Sequence, residues 1–488
     1  MGAGGDPPEL YRLAWFENGD RLDVAAAANR LAASGREVWR CPTTAGRAEA
    51  GDYLVGLRPA LARALPLAGI AVERWADEFP PDAYPIKHAH IAVLAGQASA
   101  YPYYGYYALA LARLGFAFSP VDGAAIAAGG LEGENIAVLP GGFSNWGLDV
   151  KEGSLGADDA LRRFLLGGGS AIASCGGSYY LSRGRPAWLG VADARPLFTQ
   201  EYLRTGVGVT TCRLEPGQLR LGLPPTLEIP YYHGPVFDEL GSGCTPLATF
   251  RDLYGHGRLF IDNPLSADAF SRHMEGRVAA LRASGGRGEA VLFSPHPEMG
   301  DLLRKYMALE SYIPRYLPVR GALVMRETLE SFSPAESRSF LMVLNAVEDL
   351  LARAPDRPAG QEAAGNFRAA SGTLSLLVEA WRARRGAFVV SEGGIGELER
   401  GVMAGLEDRL EPARVRLDAV LPALSRSAGD GARIAGSFVA FVDHACASWR
   451  DGPERRPAEL LLELELALTL MEAWARLAEL DILVSSHD

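Results

Sequence analysis

The stretch RRFLLGGGSAIASCGGSYY, residues 162–180, decides how this chain is read. A helix end runs into the turn Gly167-Gly168-Gly169, then into a short apolar strand, Ala171-Ile172-Ala173, with Cys175 at its carboxyl end. Small residues flank the cysteine: Ala173 two before it and Gly177 two after. A strand-to-helix elbow needs small neighbours, because the corner residue is strained and other backbone comes close to it. Such a cysteine is either a nucleophile or a buried core residue, since free Cys also behaves as a small hydrophobe.

Working outward, strand-like and helix-like segments alternate. HIAVLAG (90–96), FAFSPVD (116–122) and NIAVLPGG (135–142) read as strands, with helices over YYALALARLGF (106–116) and DDALRRFLLGG (158–168). This alternation predicts the α/β class, with a doubly wound parallel sheet of the flavodoxin-like or amidotransferase-like kind. Sites in such sheets lie outside the carboxyl ends of the strands. That rule places Gly96, Gly141-Gly142 and Cys175 along one edge.

Residues 1–85 read as a small α/β unit. Its strands are LYRLAWF, DYLVGL and IAVERW, and its helices LDVAAAANRLAASG and PALARALPLAG. The proline-rich ADEFPPDAYPIK (76–87) follows as a linker. The main unit is expected over 88–325. Its later part, 205–295, is β-rich, with VGVTTCRL, LRLGL, TLEIPYYHGPVF, TPLATFRDLY, GRLFID and AVLFS as strands, and SADAFSRHMEGRVAALRASGG (266–286) as a helix. An α-helical domain is expected over 331–488. A capping box at Ser333-Pro334-Ala335-Glu336 opens FLMVLNAVEDLLAR, and amphipathic stretches over 367–385, 395–425, 431–449 and 457–480 then form a bundle. This region carries no catalytic motif. Its His444 reads as a core or surface histidine.

A length of 488 residues calls for two or three domains. A net charge of −11 argues against nucleic acid or an anionic membrane as the main partner. The start, MGAGGDPPELYRLAWF, lacks a basic segment followed by an apolar one, so no secretory signal is expected. The apolar run from Leu460 is interrupted by Glu463, Glu465, Glu472 and Arg476, which makes it an amphipathic helix and not a membrane span. Cys41, Cys175, Cys212, Cys244 and Cys446 are scattered without a CxxC pair. Neither a disulfide framework nor a metal site is expected, and the cytoplasm is the expected location. No cofactor is expected.

Chemistry at Cys175 needs a base and a group to orient it. Ser294-Pro295-His296-Pro297-Glu298 supplies both: His296 and Glu298 are two apart at a strand end, so extended backbone puts them on one face. The prolines on either side of His296 stiffen the segment. His233 is a less economical alternative base. Backbone N–H groups at Gly141, Gly142 and Gly176 are candidate oxyanion donors, since glycine lets backbone approach an oxygen closely. Each of these turns, taken alone, is equally readable as a tight βα connection. Tyrosines 101, 103, 104, 106 and 107 follow the first strand of the main unit, and Tyr231, Tyr232 and His233 lie in the β-rich part. They line a pocket mouth or pack a helix start and a strand end.

LPGG, SCGGSYY and SPHPE together resemble the class I glutamine-amidotransferase-like superfamily. IPYYHGPVF followed by ATF is similar to the amino-terminal domain family of biotin-protein ligases, although no ligase module is present. The resemblance covers roughly residues 88 to 325. It implies Cys175 as nucleophile, His296 as base, Glu298 as its partner, and Gly142 and Gly176 as oxyanion donors. Glutamine amidotransferases carry glutamine four residues after the cysteine; here that position is Tyr179. Tyr101, Tyr179, Tyr232 and His233 are the substrate-pocket candidates. Two functions are expected to compete. One is a cysteine hydrolase or amidase acting on a small acyl or amide substrate through a thioester. The other is a catalytically silent ligand-binding or regulatory scaffold, with the helical region as the place for a protein partner.

Overall fold

The computed structural model describes residues 8–15, 21–99, 101–142, 147–197, 207–253, 267–316, 332, 337–354, 367–386, 394–424, 430–451 and 456–487. The leading segment builds an antiparallel sheet from β1 (Glu9–Leu13), β2 (Val38–Arg40), β3 (Tyr53–Leu57), β4 (Glu73–Arg74) and β5 (Tyr84–Pro85), in the order β4-β1-β3-β2-β5. Helices α1 (Arg21–Ala33) and α2 (Pro59–Ala64) accompany it. The stretch expected as a linker thus contains a strand: Tyr84 and Pro85 pair with Arg40 and Trp39. Proline is tolerated there because β5 is an edge strand and needs no inward N–H.

The main sheet begins with β6 (Ile91–Leu94), β7 (Phe118–Val121), β8 (Ile136–Leu139) and β9 (Ser170–Ser174). Both IAVL strands and β9 are buried on both faces, as the near-continuous apolar runs of a covered parallel sheet should be. The crossovers carry α3 (Tyr103–Arg113), α4 (Gly123–Ala127), α5 (Leu148–Glu152) and α6 (Ala157–Leu166), and α7 (Gly176–Leu181) follows β9. Five more antiparallel strands come next: β10 (Ala194–Pro196), β11 (Val207–Leu214), β12 (Thr226–Tyr232), β13 (Phe237–Leu240) and β14 (Cys244–Leu253). After helix α8 (Ala267–His273), β15 (Val278–Gly285) and β16 (Gly288–Phe293) form a hairpin. The parallel core runs β7-β6-β8-β9-β16, the flavodoxin-like order, and continues antiparallel through β15, β14, β11 and β12.

Two expectations inside this region change. The stretch 266–286 is helical only to His273; Gly276, at φ +73°, ends it, and Val278–Gly285 joins the sheet between β14 and β16. Its alanine-rich pattern has no preference strong enough to resist pairing on both edges. LRLGL forms a 3-10 turn at Gln218–Arg220 instead of a strand. GRLFID and the Ser333–Glu336 capping box lie outside the described residues.

Helices α9 (Gly300–Tyr316), α10 (Phe340–Arg353), α11 (Phe367–Gly386), α12 (Gly394–Leu424), α13 (Gly431–Asp451) and α14 (Pro457–Ser485) complete the chain, and the last four match the expected bundle closely. The run from Leu460 is not amphipathic in its packing. α14 is buried on nearly every side, against α1, α3, α9, α12 and α13. Its charges survive burial by pairing: Glu465 accepts from Lys305 Nζ at 2.8 Å and Glu463 from Arg384 at 3.3 Å. One contiguous core joins residues of the leading sheet, the main sheet and the helices. Among the described residues no helix is long and apolar enough to cross a membrane.

Candidate active site

Cys175 sits between β9 and α7 with φ 48° and ψ −107°, in a region an L-residue seldom occupies. Such a conformation costs on the order of 1–3 kcal/mol and persists only where the surroundings over-determine it. They do so here. Cys175 N donates to Phe293 O at 3.0 Å, and Tyr179 N donates to Cys175 O at 2.9 Å. The Ser178 hydroxyl lies between the Ala173 and Phe293 carbonyls, at 2.9 and 2.8 Å. The requirement for a small residue after the elbow is concrete: a Cβ on Gly177 would stand 2.3 Å from Leu139 O.

Beyond β16 the chain turns through a 3-10 segment, Pro297–Met299, into α9. His296 N is tied to Pro230 O at 2.7 Å, and both His296 and Glu298 are essentially fully buried. His296 Nδ1 shares a 2.7 Å hydrogen bond with Glu298 Oε1, and Ser174 Oγ donates to Glu298 Oε2 at 2.9 Å. The Cys175 thiol donates to Tyr232 O at 3.0 Å. Burial alone lowers the His296 pKa; the Glu298 carboxylate and then the Cys175 sulfur outweigh it and raise it to about 10.

The Gly141-Gly142 turn lies against the same imidazole. A Cβ on Gly141 would approach His296 Cε1 to 2.7 Å, and one on Gly142, at φ +81°, would meet the Tyr103 ring at 2.5 Å. Gly176 opens α7, and the first N–H groups of a helix have no intrahelical acceptor. Gly96 belongs elsewhere: beside it Gln97 N and Ala98 N donate to Glu152 at 3.1 and 2.6 Å, which closes that part of the edge.

The pocket candidates divide. Tyr232 is 37% exposed and packs edge-on against both Tyr103 and His233. His233 takes φ 52°, held beside the cysteine's acceptor carbonyl. Tyr179 is buried against Trp188, with its hydroxyl 3.4 Å from Gly234 O. Tyr101 packs against Phe441 and Trp449, and its hydroxyl donates to Glu463 O at 2.8 Å, so it serves the seam with the helical region. Tyr104 likewise donates to Ser437 O at 3.2 Å. Tyr103 was the more informative neighbour: its ring lies 6.2 Å from that of His296, and burial, then Cys175, pushes its phenol up. Sequence spacing singled out none of Tyr103, Tyr107 and Ser174 above their neighbours, although Ser174 directly precedes the elbow. His444 bonds the Ala95 carbonyl and packs on Tyr104, a core role.

Searches with the sequence match no family model and no curated protein. Solved structures with partial likeness include a glutamine amidotransferase, 20% identical over 43% of this chain and 90% of its own, with a TM-score of 0.27. They also include a putative GMP synthase component from Thermoplasma acidophilum, 12% identical over 53% and 92% with a TM-score of 0.31. A putative ThuA-like protein from Parabacteroides merdae is 10% identical over 58% and 94%, with a TM-score of 0.31. The α/β class rests on this chain's own strand order.

Proposed function

We propose that residues 88–325 form the reacting unit of a cysteine hydrolase or amidase, of the class I amidotransferase-like type, acting on a small acyl or amide substrate. The observation that carries this reading is a buried imidazole held at 2.7 Å by a buried carboxylate, beside a cysteine in a strained elbow. The Cys175 thiol gives its proton to the imidazole, the resulting thiolate adds to the substrate carbonyl, and the imidazolium gives that proton to the leaving nitrogen or oxygen as that bond breaks, leaving a thioester. Water then adds, its proton passes to the neutral imidazole, and the C–S bond breaks to release the acid and restore the thiolate–imidazolium pair. Gly142 and Gly176, with Gly141 shaping the turn, offer the oxyanion its N–H donors. Within that class we extend the reading to the type of the amino-terminal domain of biotin-protein ligases. What supports this is the position of IPYYHGPVF, the stretch carrying the likeness, whose Tyr232 carbonyl receives the thiol.

Site-resolved mass analysis of alkylation by iodoacetamide tests the activated cysteine. Burial, aided at Cys41 by nearby carboxylates, pushes the Cys41 and Cys212 thiols up to about 12, which makes them internal references. Cys175 is expected to react at pH 7 about tenfold faster or more in the wild type than in His296→Ala, with Cys41 and Cys212 slow in both. Equal Cys175 rates in the wild type and the variant overturn the reading. The silent-scaffold alternative draws on the thiol's hydrogen bond to the Tyr232 carbonyl. Multiple turnovers on a panel of small p-nitrophenyl esters, lost in Cys175→Ser, exclude it.

A further inference from the structure

Glu298 does not orient His296 unaided. Its Oε1 faces the imidazole, and its Oε2 accepts from Ser174 Oγ at 2.9 Å. Ser174 Oγ is in turn 2.6 Å from the Tyr107 hydroxyl. All of these side chains are buried. An ionised carboxylate only accepts, and serine has one hydrogen to give. Ser174 must therefore spend its proton on Glu298, and Tyr107 must donate to Ser174. The directions are forced, and each donor polarises the next. The chain also joins three separate elements: α3 supplies Tyr107, β9 supplies Ser174, and the turn after β16 supplies Glu298 and His296. Tyr107 is fixed from behind, since Tyr101 and Tyr104 of the same segment bond the backbone of α14 and α13.

We infer that Tyr107 and Ser174 are positioning residues that hold Glu298 in the orientation by which it holds His296. The proposal rests on the reading of Cys175 and His296 given above, but its test has a readout that does not. A short Nδ1–H···O bond to a buried carboxylate gives a far-downfield proton NMR signal, assigned by its loss in His296→Ala. With the second donor gone, Oε2 is left unpaired in a buried site and the carboxylate turns to seek a partner. In Ser174→Ala the signal moves upfield and broadens, and the acid limb of Cys175 alkylation moves to higher pH. Tyr107→Phe does the same to a smaller extent, because Ser174 keeps its own donation to Glu298. Ser174→Thr, which keeps the hydroxyl, restores the signal.

If Ser174→Ala is folded by circular dichroism and keeps both the wild-type signal and the wild-type limb, the proposal is wrong. Should Ser174→Ala not fold, Tyr107→Phe decides by the same two measurements, and an unchanged signal there overturns it. If wild-type Cys175 proves unreactive while the NMR signal still depends on Ser174, the enzyme reading fails and the positioning role stands.

Discussion

At the scale of single residues, His296 carries a large electrostatic consequence. Its pKa rises from an ordinary 6.5 to about 10 on folding, because Glu298 and Cys175 outweigh burial. A raised base contributes stability that is whole below about 6.5 and is lost as pH rises through about 10. Urea unfolding between pH 6 and pH 10 should therefore show stability falling by up to about a few kcal/mol. His296→Gln should flatten that part of the slope, and a slope unchanged in the variant would assign it to other groups. Cys175, His296 and Glu298 were legible in the sequence because each is unusual in type and place: a cysteine among glycines, and a histidine between prolines. Tyr107 and Ser174 were not, because a buried tyrosine and a strand serine are common and gain their meaning from a contact across three elements.

At the scale of elements, close approach of backbones decides the details. Gly177 lets α7 lie against β8, and a Cβ there would stand 2.3 Å from the Leu139 carbonyl, an atom fixed in the sheet. Gly177→Ala is expected to lower stability by about 1–3 kcal/mol, as overpacking does, and to slow Cys175 alkylation by displacing the elbow. Gly372, in α11, has nothing within 4 Å of its would-be Cβ among the described residues and is exposed. Gly372→Ala should instead stabilise by up to about 1 kcal/mol through helix propensity. Thermal melts of the two variants check the opposite signs. The same logic explains which elements the sequence misassigned. Apolar strands such as Ile91–Leu94 declared themselves by a pattern suited to a covered sheet. Val278–Gly285 did not, since its alanines suit a helix and only the edges of β14 and β16 make it a strand.

At the scale of the whole molecule, buried ion pairs tie the leading and helical segments to each other. Arg30 of α1 donates to Gly115 O at 2.6 Å, to Asp430 at 2.9 Å and to Asp481 at 3.3 Å. His88 reaches the same Asp430 at 3.1 Å. Arg40 is wholly buried beside the Trp15 and Tyr53 rings and pairs with Glu348 of α10, which also accepts from Tyr53 and Tyr84. Breaking one such pair costs about 3–5 kcal/mol, since it strands a charge. Arg30→Ala should therefore lower the melting temperature of the entire chain in one cooperative step, followed by calorimetry. A second, unaffected transition would mean that the segments unfold independently. Burial alone would raise the Asp430 carboxyl, but Arg30 and His88 outweigh it and hold it well below its ordinary 3.8. Its contribution is whole above that value and is lost as pH falls below about 4.

The sequence by itself determined the α/β class, the elbow at Cys175, the residue types able to react and the helices that end the chain. These follow from local chemistry: apolar periodicity, glycine at turns, and a histidine and a carboxylate spaced to share a face. Only the tertiary structure decided that Tyr101 belongs to a packing seam, that the leading segment and the helices share one core, and that Tyr107 and Ser174 stand behind Glu298. Those facts depend on which surfaces meet, and a long-range contact leaves no mark in the spacing of residues along one chain.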